Sequence, residues 1–262
     1  MRLVVVGCSG SFPGPDSAAS SYLVQAEDAE GRTWSVLLDL GSGALGPLQR
    51  HVDPRTLDAV ALSHLHADHV ADLAVLNVLL RYHPEGPRGL LPVHGPAGTA
   101  ERVAHLAGKD PATAVDGQFE FHDWQPGAPV QVGPLTIEPI PVAHPIPSFG
   151  MRVTGPSDGD PSRRVTLTYT GDTDDCAGLD VLARDADLLL AEAGYVEGRD
   201  DALRGVHLTG RRAADLAQRA GAKRLVLTHV PPWNDPAVPA TEAMAVYDGP
   251  IAVAAPGAVY PL

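Results

Sequence analysis

Three of the chain's eleven histidines fall within six positions, in the run His64-Leu65-His66-Ala67-Asp68-His69. In extended backbone, side chains two residues apart point the same way, so His64 and His66 can bind one ion. If a helix opens at Asp68, the next two side chains turn away from that pair, and Asp68 and His69 can face a second ion nearby. Imidazole nitrogen with carboxylate oxygen suits Zn²⁺, with Mn²⁺ or Fe as substitutes. Three more residues stand just after apolar runs. His144 follows Ile137–Val142, Asp172 lies in Thr170-Gly171-Asp172-Thr173, and His229 ends Leu225-Val226-Leu227-Thr228. Each alone has the look of a turn or capping residue. Together they place four candidate ligand sets at strand ends on one edge of the architecture. The two cysteines, Cys8 and Cys176, form no Cys-x-x-Cys pair, which disfavours thiolate ligation and fits two free thiols in a reducing compartment.

Positioning such a site requires strands that end together. Period-two and continuous apolar runs predict strands over Leu3–Val6, Tyr22–Gln25, Trp34–Asp39 and Asp58–Leu62, the last delivering the chain into the His-rich loop. A helix is predicted from Asp68 to about Tyr82, with Val70, Leu73, Leu76, Leu79 and Leu80 on one face and Pro84 and Gly86 ending it. A second series of strands is predicted at Leu91–His94, Gln118–His122, Leu135–Val142, Phe149–Thr154, Arg164–Thr170, Asp187–Ala191, Arg224–Thr228 and Ile251–Ala254. Helices are predicted at Pro96–Ala107, Asp175–Asp185 and Thr209–Ala220, the last with Thr209 as its N-cap. Gly155–Ser162 reads as a hairpin loop. With no repeat and no linker to divide it, residues 1–262 are expected to form a single domain of layered α and β structure.

Composition narrows the partners. The net charge is −13, and Lys109 and Lys223 are the only lysines. An acidic surface repels polyanions, so a long nucleic acid is disfavoured as a partner. Hydrophobic content of 44% and a mean hydropathy of −0.02 describe an ordinary globular chain. No apolar run approaches the roughly 18–20 residues of a membrane span. Met1-Arg2-Leu3-Val4-Val5-Val6 reads as a first buried strand rather than a signal sequence, which predicts a cytoplasmic protein with no membrane partner.

In order and context, His64-x-His66-x-Asp68-His69, His144, Gly171-Asp172-Thr173 and His229 resemble the metal motifs of the metallo-β-lactamase fold hydrolases. The resemblance covers nearly the whole chain and implies an α/β fold, an αβ/βα four-layer sandwich with two divalent ions at the sheet edge. It implies that His64, His66 and His144 hold one ion, that Asp68, His69 and His229 hold the other, and that Asp172 bridges them. Asp39, at the end of an early strand, would orient a ligand or the loop without binding metal.

Within that fold the chain looks like the phosphodiesterase branch, which includes the tRNA 3′-processing endonucleases. No cysteine fills a ligand slot, unlike a β-lactamase proper, and Pro145-Ile146-Pro147-Ser148-Phe149-Gly150 after His144 differs from the glyoxalase II type. Gly205-Val206-His207-Leu208-Thr209 resembles that branch's His-x-Thr helix start, where the histidine protonates the leaving oxygen, helped by an acid placed like Glu192. One departure is Arg212 in place of a Glu, which removes the capping-box partner of Thr209 and predicts a softer helix start. The tRNA enzymes carry a long arm between the third histidine and the bridging Asp; here Asp172 follows His144 by 28 positions, room for a hairpin.

Gly7-Cys8-Ser9-Gly10-Ser11, Leu62–His69, Arg81-Tyr82-His83-Pro84 and Leu227-Thr228-His229-Val230-Pro231-Pro232-Trp233 are similar to bacterial cyclic-nucleotide phosphodiesterases of this fold. That resemblance implies hydrolysis of 3′,5′-cyclic AMP or related small phosphodiesters. Asp68 and His207 are the residues expected to act in catalysis, with a hydroxide shared by the two metals as nucleophile and His207 as general acid. Trp233 is expected to stack on the base, and a homodimer is expected by analogy. The alternatives are an RNA 3′-end processing endonuclease and a non-catalytic nucleotide-binding sensor.

Overall fold

A computed structural model of the chain describes residues 1–86, 89–110 and 117–262. The first half supplies β1 (Arg2–Gly7), β2 (Ser21–Glu27), β3 (Thr33–Leu38), α1 (Leu45–Leu48), β4 (Ala59–Ala61), α2 (Ala67–Val70), α3 (Leu73–Tyr82), β5 (Leu91–Gly95), α4 (Thr99–Leu106) and β6 (Phe119–Asp123). The second supplies β7 (Val130–Val132), β8 (Leu135–Val142), β9 (Ser148–Pro156), β10 (Arg164–Tyr169), α5 (Ala177–Ala183), β11 (Leu188–Glu192), α6 (Gly210–Arg219), β12 (Leu225–Thr228), α7 (Ala237–Met244) and β13 (Ile251–Val253). A last strand, β14 (Val259–Pro261), returns to pair with β1.

Two seven-stranded sheets result, in the orders β14-β1-β2-β3-β4-β5-β6 and β13-β12-β11-β10-β9-β8-β7. The strands are buried on both faces. Leu3, Val5, Val36 and Leu38 point into the space between the sheets, where they meet Ile137, Val153, Leu167 and Leu190. Their neighbours Val4, Val6 and Leu37 face outward under α3 and α4, and Leu189, Leu225 and Leu227 do the same under α5, α6 and α7. Three apolar layers between four layers of secondary structure give the expected α/β sandwich. This double burial explains why strands such as β1 and β11 are continuous apolar runs rather than alternating ones.

Each sheet is antiparallel at one side and parallel at the other. The strands from β3 to β6 are parallel, as are those from β10 to β13. Parallel strands discharge their carboxyl ends on one edge, where open α/β sheets bind ligands. Asp39, His64, Asp172, Glu192 and His229 all follow, or end, such strands. The interval between His144 and Asp172 holds the β9–β10 hairpin alone, with Ser157 N–H donating to Arg163 O across its turn.

The helix predicted over Asp68–Tyr82 is broken at Ala71–Asp72 into α2 and α3. Asp72 N–H donates to Leu40 O rather than up its own helix, and the Asp72 carboxylate accepts from Gly43 N at 3.1 Å and Leu45 N at 2.9 Å. The break thus ties the ligand-bearing turn to the loop after β3. Apolar periodicity runs through the break and hides it. Helix α7 was unexpected because it contains Pro239, which sits in the first turn, where a missing N–H costs little. The three-residue strands β7 and β14 and the four-residue α1 are too short to leave a periodic signal. Among the described residues no helix is long and apolar enough to cross a membrane.

Gly41 sits where the loop after β3 meets the ligand turn. A Cβ there would lie 1.9 Å from Asp68 O, whereas one on Gly46, in α1, would meet nothing within 4 Å. Gly41→Ala is therefore expected to cost about 1–3 kcal/mol in the denaturant midpoint. Gly46→Ala should be neutral or gain a few tenths of a kcal/mol by helix propensity; equal midpoints for the two variants would contradict the contact.

Candidate metal centre

The centre begins with a buried carboxylate that touches no solvent. Asp39, left-handed at φ 56°, accepts from Ser63 N and Ser63 Oγ, both at 2.7 Å, and from Tyr169 OH and His69 Nδ1, both at 2.8 Å. A carboxylate can only accept, so His69 Nδ1 carries the proton and Nε2 presents its lone pair. The same logic sets two more rings. Ser63 Oγ gives its proton to Asp39 and so accepts from His64 Nδ1 at 3.0 Å; His144 Nδ1 donates to Val206 O at 2.9 Å. Both rings are left with Nε2 bare.

These bare nitrogens converge. His64 Nε2 lies 3.0 Å from His66 Nδ1, which lies 3.2 Å from His144 Nε2. His69 Nε2 lies 3.4 Å from His229 Nε2, 3.4 Å from Asp68 Oδ2 and 3.2 Å from Asp172 Oδ1, while His229 Nε2 lies 3.2 Å from both Asp68 Oδ2 and Asp172 Oδ2. Asp172 Oδ2 is also 3.7 Å from His64 Nε2, so this carboxylate stands between the two groups. Ligand atoms about 2.0–2.1 Å from a tetrahedral Zn²⁺ sit about 3.3 Å from one another. The observed spacings match that figure. Lone pairs packed this closely repel unless a cation or proton lies among them, and buried Asp172 Oδ1 has no hydrogen-bond donor. The donor set therefore fits metal ions, in one His64/His66/His144 group and one Asp68/His69/Asp172/His229 group.

Electrostatics agree. Burial, joined for His64 and His66 by the charge of neighbouring rings, pushes His64, His66 and His144 below the ordinary imidazole value, which favours the neutral, ligating form. Burial would raise Asp68 and Asp172, yet His229 and His69 beside them hold both carboxyls well below the usual range. Against burial, Asp172 and Asp39 draw His69 well above its ordinary value; a cation at Nε2 would satisfy the same carboxylates. His229 is aimed inward by a left-handed φ of 58° at the end of β12, and Ser11, at φ 65°, brings its N–H to 3.3 Å from His229 Nε2. Non-glycine residues in this region each cost of order 1–3 kcal/mol and cluster at functional sites.

His207 lies beside both groups, with Nδ1 3.9 Å from Asp172 Oδ2 and 2.9 Å from Glu192 Oε1. Glu192, fully buried at the end of β11, also accepts from Thr173 N at 2.8 Å and Gly194 N at 2.9 Å. With its oxygens so engaged, Glu192 orients His207 through Nδ1; Glu192, His207 and His229 also bring one ligand atom each within 4.8 Å of one another. Burial opposes it, but the Glu192 carboxylate raises His207 to about 9. Trp233 is 65% exposed and packs its ring 4.9 Å from that of Phe12.

Two features were missed or misjudged in the sequence. Asp174 is buried and accepts from Arg204 Nε at 2.7 Å and Gly205 N at 2.8 Å, pinning the segment that supplies Val206 O to His144 and leads into His207. The acidic run Asp172-Thr173-Asp174-Asp175 was its only signal. The softened start expected for α6 is not found. Thr209 Oγ1 accepts from Arg212 N at 3.1 Å and donates to Glu197 Oε2 at 2.6 Å, so a glutamate from outside the helix completes the cap. Arg212 itself lies 3.4 Å from Asp174 and 3.5 Å from Asp201, which offset its charge at the helix start.

With this geometry in place, comparison with known proteins is informative. Residues 34–230 match the model of the beta-lactamase superfamily domain. An uncharacterised protein of Mycobacterium tuberculosis is 42% identical over 253 residues, covering 96% of this chain and 88% of that one. The probable metallo-hydrolase YhfI of Bacillus subtilis is 32% identical over 99% of both chains, and its crystal structure superposes with a TM-score of 0.84 at 30% identity, covering 100% of this chain and 98% of that one. A ribonuclease Z of Myxococcus xanthus is 28% identical, covering 98% of this chain and 96% of that one.

Replacing Asp39 by Asn keeps the shape but turns an acceptor into a group that can point N–H at His69. Loss of such an orienting partner typically weakens metal affinity 10–100-fold. Titration of Asp39→Asn against a chromogenic chelator is expected to show a loss in that range; wild-type affinity would mean that Asp39 does not control the ring.

Proposed function

The chain belongs to the beta-lactamase superfamily of metal-dependent hydrolases, and from that premise we propose that it is a dinuclear phosphodiesterase of small substrates, opening 3′,5′-cyclic AMP to 5′-AMP. His64, His66 and His144 would hold one ion and Asp68, His69 and His229 the other, with Asp172 shared between them. Zn²⁺ suits this donor set, with Mn²⁺ or Fe as substitutes. Two such ions supply a nucleophile at neutral pH and offset charge on the phosphoryl oxygens.

The observation that carries the phosphodiester reading is His207, held at 2.9 Å by Glu192 beside both ligand groups. A ribose alkoxide is a poor leaving group at neutral pH and needs a proton as the P–O bond breaks. His207, its Nδ1 spent on Glu192, can deliver that proton only from Nε2. Asp68 joins the chemistry as the least buried of the four residues in its group, at 8% exposure. Trp233 would form a wall for the base. Such an enzyme would work on small soluble substrates in the cytoplasm, as a monomer or homodimer.

An RNA 3′-end endonuclease has one argument in its favour, the likeness to ribonuclease Z. Against it stand the net charge of −13 and the bare β9–β10 hairpin where an RNA-holding arm would be needed. A product assay of metal-loaded protein with cyclic AMP, cyclic GMP, a 2′,3′-cyclic nucleotide and pre-tRNA tests the reading. It expects 5′-AMP from cyclic AMP. Cleavage of pre-tRNA alone would overturn it, and tight nucleotide binding without turnover would favour a sensor.

The acid is tested separately. His207→Ala should slow cyclic AMP turnover by about 10²–10⁴-fold while affecting a nitrophenyl phosphodiester far less, because nitrophenolate leaves without a proton. Equal losses on both substrates would remove His207 from that role.

A further inference from the structure

Proton delivery from His207 has a geometric corollary. In an in-line displacement the leaving oxygen, and whatever carbon skeleton it belongs to, must lie on the acid's side of phosphorus. On that side a cleft of about 330 Å³ opens, lined by Ser11, Tyr195, Arg199, Asp200, His207 and Trp233, among others. Small-ligand sites run from about 300 Å³ upward, so the cleft is large enough for one nucleoside.

Its rim is held rigid by a chain of contacts. Asn234, next to Trp233, donates Nδ2–H to Gly194 O at 3.3 Å and accepts from Arg199 Nη1 at 2.8 Å. Asp200 takes Arg199 Nε at 3.0 Å and Nη2 at 2.7 Å, and also accepts from Val196 N. Asp200 and Asn234 are thereby held in place by protein partners. Arg199 keeps donors to spare: a guanidinium has five N–H groups, and after these contacts one remains on each terminal nitrogen. The cleft therefore combines an exposed aromatic face, Trp233 backed by Phe12, with two unspent guanidinium N–H donors, beside the Ser11 and Tyr195 side chains. Arg199 can read only an acceptor on an aromatic ligand.

Resting on the cyclic-nucleotide reading, we infer that Arg199 is a specificity residue that recognises a purine through its N7, with the base laid on the Phe12–Trp233 platform. Every purine presents N7 on its major-groove edge, whereas cytosine presents there only a C–H and the N4 donor. Stacking on aromatic side chains is tolerant of base identity, so the platform supplies affinity and Arg199 supplies the choice.

The test removes the acceptor from the substrate. Metal-loaded wild-type protein is expected to turn over cyclic AMP with kcat/KM about tenfold above its 7-deaza analogue, the size of one hydrogen bond to a charged donor. In Arg199→Ala that ratio should fall to about one. Equal rates on the two substrates in the wild type overturn the inference, whatever the variant does, so a rim disturbed by the substitution leaves the test standing. A ratio that persists in a folded Arg199→Ala overturns it too. Failure of the wild type to hydrolyse cyclic AMP, 7-deaza-cyclic AMP and cyclic CMP alike would instead reject the cyclic-nucleotide reading.

Discussion

A carboxylate with no access to solvent must be surrounded by donors, and Asp39 is. Its four hydrogen bonds join the strand it ends, the turn after β4 at Ser63, the ligand ring of His69, and Tyr169 from β10 of the opposite sheet. Losing any one would leave a buried charge short of a partner, a penalty larger than the net worth of an ordinary hydrogen bond. Burial, together with the adjacent Asp39, pushes the Tyr169 phenol well above its ordinary value, so Tyr169 keeps the proton it donates. One buried charge therefore fixes the distance between the two sheets at the edge where the histidines meet.

From that tie the rest of the site follows in layers. Asp39 sets His69 directly and His64 through Ser63. Glu192 sets His207 and is itself set by Thr173 N–H, the residue after Asp172. Asp174 then holds the segment whose Val206 carbonyl sets His144. The loop segment Asp172-Thr173-Asp174 thus faces three ways, toward the ligand groups, the acid and the segment before His207. Few of these positions could change independently, since Asp39, Asp174 and Glu192 are buried and each accepts from several partners.

The parts of this arrangement that were legible in the sequence were those with dense local pattern. His64, His66, Asp68 and His69 announce themselves by spacing, and long apolar runs locate β1, β8, β10 and β11. His144, Asp172 and His229 were legible only as a set, because each alone looks like a turn residue at a strand end. What stayed hidden depends on contacts between distant segments. Tyr169 reads as one more aromatic in a strand, Asp174 as one more surface acid, and the break between α2 and α3 is invisible because the apolar period continues across it. Arg212 misled for the same reason: the glutamate that completes the Thr209 cap, Glu197, comes from outside the helix.

The return of β14 to pair with β1 carries an implication for how the protein is made. Val259–Pro261 cover the edge of the first sheet, so that edge lies open until β14 has been synthesised, long after β1. His229 also emerges long after the His64–His69 run. A nascent chain thus carries a partial set of ligands beside an unpaired strand, a state prone to the wrong ion or the wrong neighbour. Completion of the ligand set and closure of the sheet are late events in the same act of synthesis, and a chain cut before His229 would lack both.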